Sequence, residues 1–342
     1  MYGNKLDRPL VTFALLSYNQ ETYVREAIES AFVQTYEPME IILSDDCSSD
    51  QTFKIMKDMA RNYCGPKKII VSQTEKNCGT LLHVANVAKL AKGALLVLGA
   101  CDDISKPQRT ETLVESWQHS NAWGLCSKFD RIDETGQIIS RNETVDILSS
   151  PDYPLRKYFS VRQNEVKIIH GCTSAYDIRI FDFLDALPKD YILSEDGVLS
   201  VLLNLLEKRM KNIDASLIFY RQTENSLTNG SNSGSLNFKK TWNNERAIER
   251  FARSQANRCE LFLRYNEKYG ASSALPLDNV RLNDEIKKQR MRCSWWQKSY
   301  RERIRYMFGF RTVSDLKHFL PRMLPETIFI YAKILLIKIK LH

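Results

Sequence analysis

The residues predict an α/β fold, a mostly parallel sheet flanked by helices, followed by a basic helical extension. Three observations carry this reading. Apolar runs of strand length alternate with amphipathic segments of helix length through the first hundred residues. Acidic pairs stand just beyond the ends of two of those runs. The charge is also divided: residues 1–234 hold 26 Lys/Arg against 31 Asp/Glu, whereas residues 235–342 hold 23 against 10.

Residues 10–17 (LVTFALLS) read as a buried strand that runs into Tyr18-Asn19. Val24, Ala27, Ile28, Ala31 and Phe32 make one apolar helix face, and Pro38 bars its continuation. Residues 40–44 form a second strand that leads into Asp45-Asp46. Ser49 or Asp50 then caps a helix with Phe53, Met56 and Ala60 on one side. A strand at 68–72, a helix at 81–92 closed by Gly93, and a strand at 94–99 complete the alternation. Parallel strands need such crossovers, and ligands of parallel sheets bind beyond the carboxyl ends of the strands. Ser17-Tyr18-Asn19, Asp45-Asp46 and Asp102-Asp103 all fall at that edge. The pattern loosens from about residue 120 and resumes around His170-Gly171-Cys172. It then gives a buried helix at 198–206 opened by Ser194-Glu195-Asp196, and a last strand at 216–220. Residues 225–237 are rich in Gly, Ser and Asn, which places a boundary between a body at 1–230 and an extension at 231–342.

Strand-end aspartates suit Mg²⁺ or Mn²⁺, hard cations that take oxygen ligands and share them with a diphosphate. Each acidic pair alone also fits a turn or a helix start; their common position on the sheet favours chemistry. No G-x-G-x-x-G follows any strand, which disfavours a dinucleotide-dependent oxidoreductase.

The runs PLVTFALLSYN at 9–19, SAFVQTY at 30–36 and DDCSSDQT at 45–52 resemble the opening of the family 2 glycosyltransferases. Asn77, Gly79, Asn86, Lys92-Gly93 and Asp102-Asp103 continue the likeness, which covers roughly residues 8–230. The resemblance implies a GT-A fold and an inverting transfer from a nucleoside diphosphate sugar to a glycan or lipid-linked acceptor, in cell-surface polysaccharide or lipopolysaccharide assembly. It implies that Ser17, Tyr18, Asn19, Asp45, Asp46, Asn77, Gly79, Asp102 and Arg221 bind the donor. Asp102 and Asp103 match the end of a D-x-D-D metal motif whose first Asp is Ala100 here, so the direct ligand is open between them. Ser194-Glu195-Asp196 resembles the family's E-D motif, which makes Asp196 the general base beside Glu195. Tyr220-Arg221-Gln222-Thr223 resembles Y-R-x-H with Thr223 in place of His.

In the extension, Arg246, Arg250, Arg253 and Arg258 recur at helical spacing, followed by Trp295-Trp296 and Arg301, Arg303 and Arg305. Residues 328–341 are apolar with interspersed lysines. These features predict contact with an anionic membrane surface. With no signal-peptide core, no spanning stretch and eight scattered cysteines, the expected place is cytoplasmic, on the inner face of the membrane. A non-catalytic nucleotide-sugar binder and a basic-tailed nucleic-acid-binding protein are the competing readings; no nucleic acid is expected.

Overall fold

In the computed structural model the described residues are 8–144, 155–161, 165–185, 187, 192, 194–222, 238–307, 320–326, 328–330 and 333. Four parallel strands form the first half of the sheet: β1 (Val11–Ser17), β2 (Met39–Asp45), β3 (Lys68–Gln73) and β4 (Leu95–Ala100), in the order β3-β2-β1-β4. Their crossovers carry α1 (Val24–Phe32), α2 (Thr52–Arg61) and α3 (Thr80–Leu90). Alternation along β1 explains the layering. Val11, Phe13 and Leu15 pack with Val24, Ile28 and Leu113 on one face, and Ala14 packs with Leu81 and Val84 on the other.

The second half of the sheet is mixed. A short β5 (Ile104–Ser105) and α4 (Arg109–Ser120) lead into β6 (Gly124–Ile132) and its hairpin partner β7 (Ile138–Glu143). After a 3-10 turn, Gly171–Thr173, β8 (Ala175–Asp177) bridges β4 and β6 antiparallel to both. The long β9 (Met210–Arg221) runs parallel to β6, and its far end pairs with β5. That last pairing curls the sheet so that Arg221 lies beside the residues that follow β4. Between β8 and β9 stands α5 (Glu195–Leu205), whose residues from Gly197 to Leu205 are buried.

The expected elements stand with small shifts. The N-cap of α2 is Gln51, without a side-chain cap; the Asp50 carboxylate instead accepts the Thr52 N–H at 3.0 Å. The last strand begins six residues earlier than its apolar run because its first half is polar and partly exposed, at Lys211, Asn212 and Asp214.

The extension departs from expectation. The helices α6 (Phe238–Tyr269) and α7 (Asn279–Ser294) do not form a separate appendage. Cys259, Leu261, Phe262, Tyr265, Leu277 and Leu282 belong to the same buried cluster as Val198, Leu199 and Leu202 of α5. Each such side chain contributes about 1.5–3 kcal/mol on burial, which is ample to hold the helix on the body. Arg258 is 1% exposed, not a solvated charge. Trp295 is 1% exposed and donates its ring N–H to the Arg322 carbonyl at 2.9 Å, so that ring belongs to the interior and not to a bilayer surface. The next helix, α8 (Tyr300–Met307), is largely exposed over residues 300–305. The predicted linker at 225–237, Thr223, and residues 331–332 and 334–341 of the apolar terminus lie outside the described residues. Among those described, no helix is long and apolar enough to cross a membrane.

Candidate active site

β1 and β2 end in register at one edge, at Ser17 and Asp45, and β4 ends beside them at Ala100, opposite Leu16. The loops beyond β1 and β2 interlock. The Asn19 side chain accepts the Ser49 N–H at 2.9 Å, its own N–H donates to Ser48 Oγ at 2.7 Å, and the Gln20 N–H donates to Thr52 Oγ1. Asn19 and Cys47 hold positive φ, 52° and 61°, at the tips of these loops. Left-handed backbone outside glycine is uncommon and gathers at functional edges. Tyr18 is 47% exposed beside them, a ring free to stack on a ligand.

Asp45 and Asp46 are both buried and fully engaged. Asp45 accepts Ser48 N–H, Ser48 Oγ–H and the Gln73 amide. Asp46 accepts Thr74 Oγ1–H at 2.8 Å and the N–H groups of Cys78 and Gly79, each at 3.0 Å. Gly79, at φ 80°, caps α3, a conformation that glycine adopts without steric cost. Asp46 therefore ties the loop carrying Asn77 and Gly79 to the end of β2.

Asp102 and Asp103, in the turn between β4 and β5, are held differently. Asp103 is buried; its Oδ1 accepts the Arg221 N–H at 2.8 Å, and its Oδ2 has no hydrogen-bond partner. Burial, with the neighbouring Asp102 charge second, pushes Asp103 well above the usual carboxylate range, and burial raises Asp102 as well. A buried carboxylate oxygen without a donor is costly unless something cationic meets it. Among the described residues no group of three or more His, Cys, Asp or Glu converges on a metal position. Two carboxylates nevertheless fit a hard cation that completes its shell with ligand and water oxygens. Arg221 braces this turn from below. Its Nε donates to the Asp102 carbonyl, Nη1 to the carbonyls of Asp133 and Glu134, and Nη2 to Glu26, while the guanidinium lies 4.6 Å over the Tyr23 ring. Each guanidinium nitrogen already has an acceptor within the protein.

Glu195-Asp196 opens α5 behind Ser194, which caps the helix at φ 77°, ψ 70°. The Asp196 carboxylate accepts Ser194 Oγ–H at 2.9 Å, Gly197 N–H at 2.6 Å and, from across the site, Gly171 N–H at 3.2 Å. A Cβ at Gly171 would stand 2.6 Å from Glu195 Oε1, so only glycine lets this turn approach the acidic pair. Burial, and secondarily the Asp196 charge, push Glu195 up to about 7. The same turn reaches the other acids. Arg109, buried, donates to the carbonyls of Leu98, Cys172 and Ser174, and the Cys172 thiol, pushed up by burial, feels the charges of Asp103, Asp102 and Asp196 together. His170, beside Phe129 and Tyr220, is held down by burial and so is a neutral imidazole near pH 7. Thr80 completes the ring by accepting the Ser194 N–H at 2.8 Å, one residue after Gly79.

Ser17, Tyr18, Asn19, Asp45 and Asp46 thus stand at the ends of β1 and β2, Asp102 and Asp103 follow β4 beside Arg221, and Glu195-Asp196 opens α5 against the Gly171 turn. Thr80, Arg109, Gly171, Glu26 and Arg258 were not singled out for this site. Gly171, between two polar residues, and Arg258, in phase with the apolar face of Ala252, Cys259 and Phe262, carried the only local signals.

Comparison with known proteins decides the family. The pattern described as Glycosyl transferase family 2 matches residues 12–185, half of the chain. The chain belongs to glycosyl transferase family 2. Its similar relatives include an uncharacterized glycosyltransferase of Haemophilus influenzae, 31% identical over 42% of this chain and 44% of that protein. A chondroitin synthase of Escherichia coli is 28% identical over 41% of this chain and 20% of that protein. The putative glycosyltransferase EpsE of Bacillus subtilis is 35% identical over 31% and 37%. The matches span less than half the length of these relatives. Among solved structures, S. aureus TarS 1-349 in complex with UDP-GlcNAc has a TM-score of 0.53 at 17% identity, covering 94% of this chain and 81% of that one. The mannosyltransferase PcManGT of Pyrobaculum calidifontis, in complex with GDP-Man and Mn²⁺, has a TM-score of 0.52 at 14% identity, covering 96% and 87%. The family 2 chain therefore has the expected GT-A fold.

Proposed function

We propose that the chain is an inverting glycosyltransferase that moves a sugar from a nucleoside diphosphate donor to a hydroxyl of a glycan or lipid-linked acceptor. The observation that carries this reading is the meeting of two acidic pairs across the Gly171 turn: one with an unpartnered buried oxygen, one with its base oriented by three donors. Tyr18, Asn19 and Ser17 border the base and ribose, with Asp45, Asp46, Asn77 and Gly79 framing that end. Asp103 and Asp102 would hold a divalent cation, Mn²⁺ or Mg²⁺, which would neutralise charge on the departing diphosphate. Asp196 takes the proton of the acceptor hydroxyl as its oxygen bonds the anomeric carbon; the bond to the diphosphate breaks on the opposite side, and the nucleoside diphosphate leaves with the electron pair. One displacement with one base inverts the anomeric centre. Glu195, at about 7, shares its proton with this environment near neutrality and leaves the base role to its neighbour. Arg221, with its nitrogens engaged, acts by bracing Asp102 and Asp103 and not by gripping the diphosphate. The catalytic unit extends beyond residue 230 to include α6 and α7.

The acceptor reading rests partly on the C-terminal surface. Tyr300, Leu320, Leu324 and Ile328 are exposed, as are Arg301 and Arg305. Such a mixture favours an anionic membrane face and, with it, a lipid-linked glycan of a surface polysaccharide or lipopolysaccharide.

Calorimetric titration with UDP-GlcNAc, GDP-mannose and other sugar nucleotides, with and without Mn²⁺, tests the donor site. Metal-dependent binding of one donor, lost in Asp103→Ala, is expected, with an inverted anomeric centre in the product by NMR. A folded protein that binds none of them overturns the reading.

A further inference from the structure

We propose that Arg258, from the helix α6 that sequence assigns to the extension, is a positioning residue for Asp196; this rests on reading Asp196 as the base. Arg258 is buried, 64 residues from Ser194 in sequence, and its Nη1 donates to Ser194 Oγ at 3.2 Å. The same hydroxyl donates onward to Asp196 Oδ1 at 2.9 Å. The relay has a fixed direction: guanidinium to hydroxyl to carboxylate. Arginine cannot accept a hydrogen bond, so its approach leaves the Ser194 proton to point at Asp196. The guanidinium is itself aimed, since Nη2 donates to Gln255 Oε1 one turn earlier and the plane lies near the Phe262 ring.

Two further observations separate this arrangement from ordinary core packing. Ser194 is held in the left-handed region, a cost for a non-glycine residue, while its N–H is fixed by Thr80 and its hydroxyl by Arg258. The strain is tolerated at the residue that sets the rotamer of the acidic pair. The buried face of α6 is also polar at this contact: Gln255 and Arg258 are both buried and bonded to each other, in a helix otherwise anchored by Cys259, Leu261 and Phe262. Burying an arginine is costly, and a well-packed apolar residue at 258 would be the cheaper structural solution. Among the described residues, the groups that act on Asp196 include Glu195 on its own helix, His170 and Cys172 on the Gly171 turn, Tyr176 on β8, and Arg258 through Ser194. Of these only Arg258 is permanently cationic.

The test uses the full chain with Mn²⁺, reading nucleoside diphosphate released from a sugar-nucleotide panel to water, together with donor Kd by calorimetry. Arg258→Gln and Ser194→Gly are each expected to lower kcat about 10- to 100-fold with donor Kd within about twofold. Ser194→Gly keeps the left-handed backbone and removes only the hydroxyl, so it guards against a folding failure in Arg258→Gln. The double variant should be no slower than the worse single one, because both break one relay. Arg258→Lys should recover part of kcat, and the acidic limb of the rate profile should move to higher pH in Arg258→Gln. A loss carried by donor Kd at unchanged kcat, independent multiplicative losses, or full kcat in Ser194→Gly each overturns the proposal. Wild-type protein that releases nothing from any donor overturns the glycosyl-transfer reading itself, and the base role falls with it.

Discussion

Two aspartate pairs stand at the same edge of one sheet, and the structure treats them oppositely. Asp45-Asp46, at the end of β2, is wrapped in donors: three backbone N–H groups, two hydroxyls and an amide reach its carboxylates from within the protein. Asp102-Asp103, after β4, receives one backbone N–H at Asp103 and leaves Oδ2 buried without a partner. Identical residues in equivalent positions thus do different work. A satisfied acid fixes a loop; an unsatisfied one carries an electrostatic cost that a cation would relieve.

The sharpest way to break this comparison is to neutralise each pair in turn. Asp103→Asn should lower metal-dependent turnover by roughly 10²-fold or more, since several kcal/mol of charge stabilisation is lost. The same variant should unfold at higher urea than wild type in metal-free buffer at pH 7.5. The sign follows from the raised value of Asp103: its folded form prefers the proton, so the wild type loses stability as pH rises through that value. Lower stability of Asp103→Asn would contradict it.

Asp46→Ala should do the reverse, lowering the unfolding free energy by about 3 kcal/mol through the orphaned Cys78 and Gly79 N–H groups. Residual activity should track the folded fraction in denaturation curves. A large loss of turnover in fully folded Asp46→Ala would move that carboxylate into the donor site.

A smaller effect sharpens the contrast at α5. Glu195, at about 7 against an ordinary 4.5, stabilises the fold only while protonated. Glu195→Gln should therefore match wild type below about pH 4.5 and exceed it by roughly 1–3 kcal/mol at pH 8. Denaturation midpoints compared across that range check it; a constant difference would show that the carboxyl does not change its charge there.

The parallel half was legible in the sequence because each strand and helix declares itself locally: Val24, Ala27, Ile28 and Ala31 needed no distant partner to be read as one face. The strand-end acids were legible for the same reason, through topology. What was hidden depends on contacts between distant residues. Arg109 reaches Cys172, and Arg258 reaches Ser194, across more than sixty residues each. β8 is three residues long and makes no periodic pattern. Trp295 beside arginines reads equally as a lipid-facing ring or an interior one until its N–H is seen to meet the Arg322 carbonyl. The family pattern itself ends at residue 185, before the Glu195-Asp196 pair and all of α6.

The shared core of α5 and α6 bears on how such enzymes can be recombined. Cys259, Leu261 and Phe262 interleave with Val198, Leu199 and Leu202, so a cut at residue 230 would strip the outer wall from the helix that carries Asp196. A chimaera that keeps α5 packed must therefore carry α6 and, through Leu282, α7 with it.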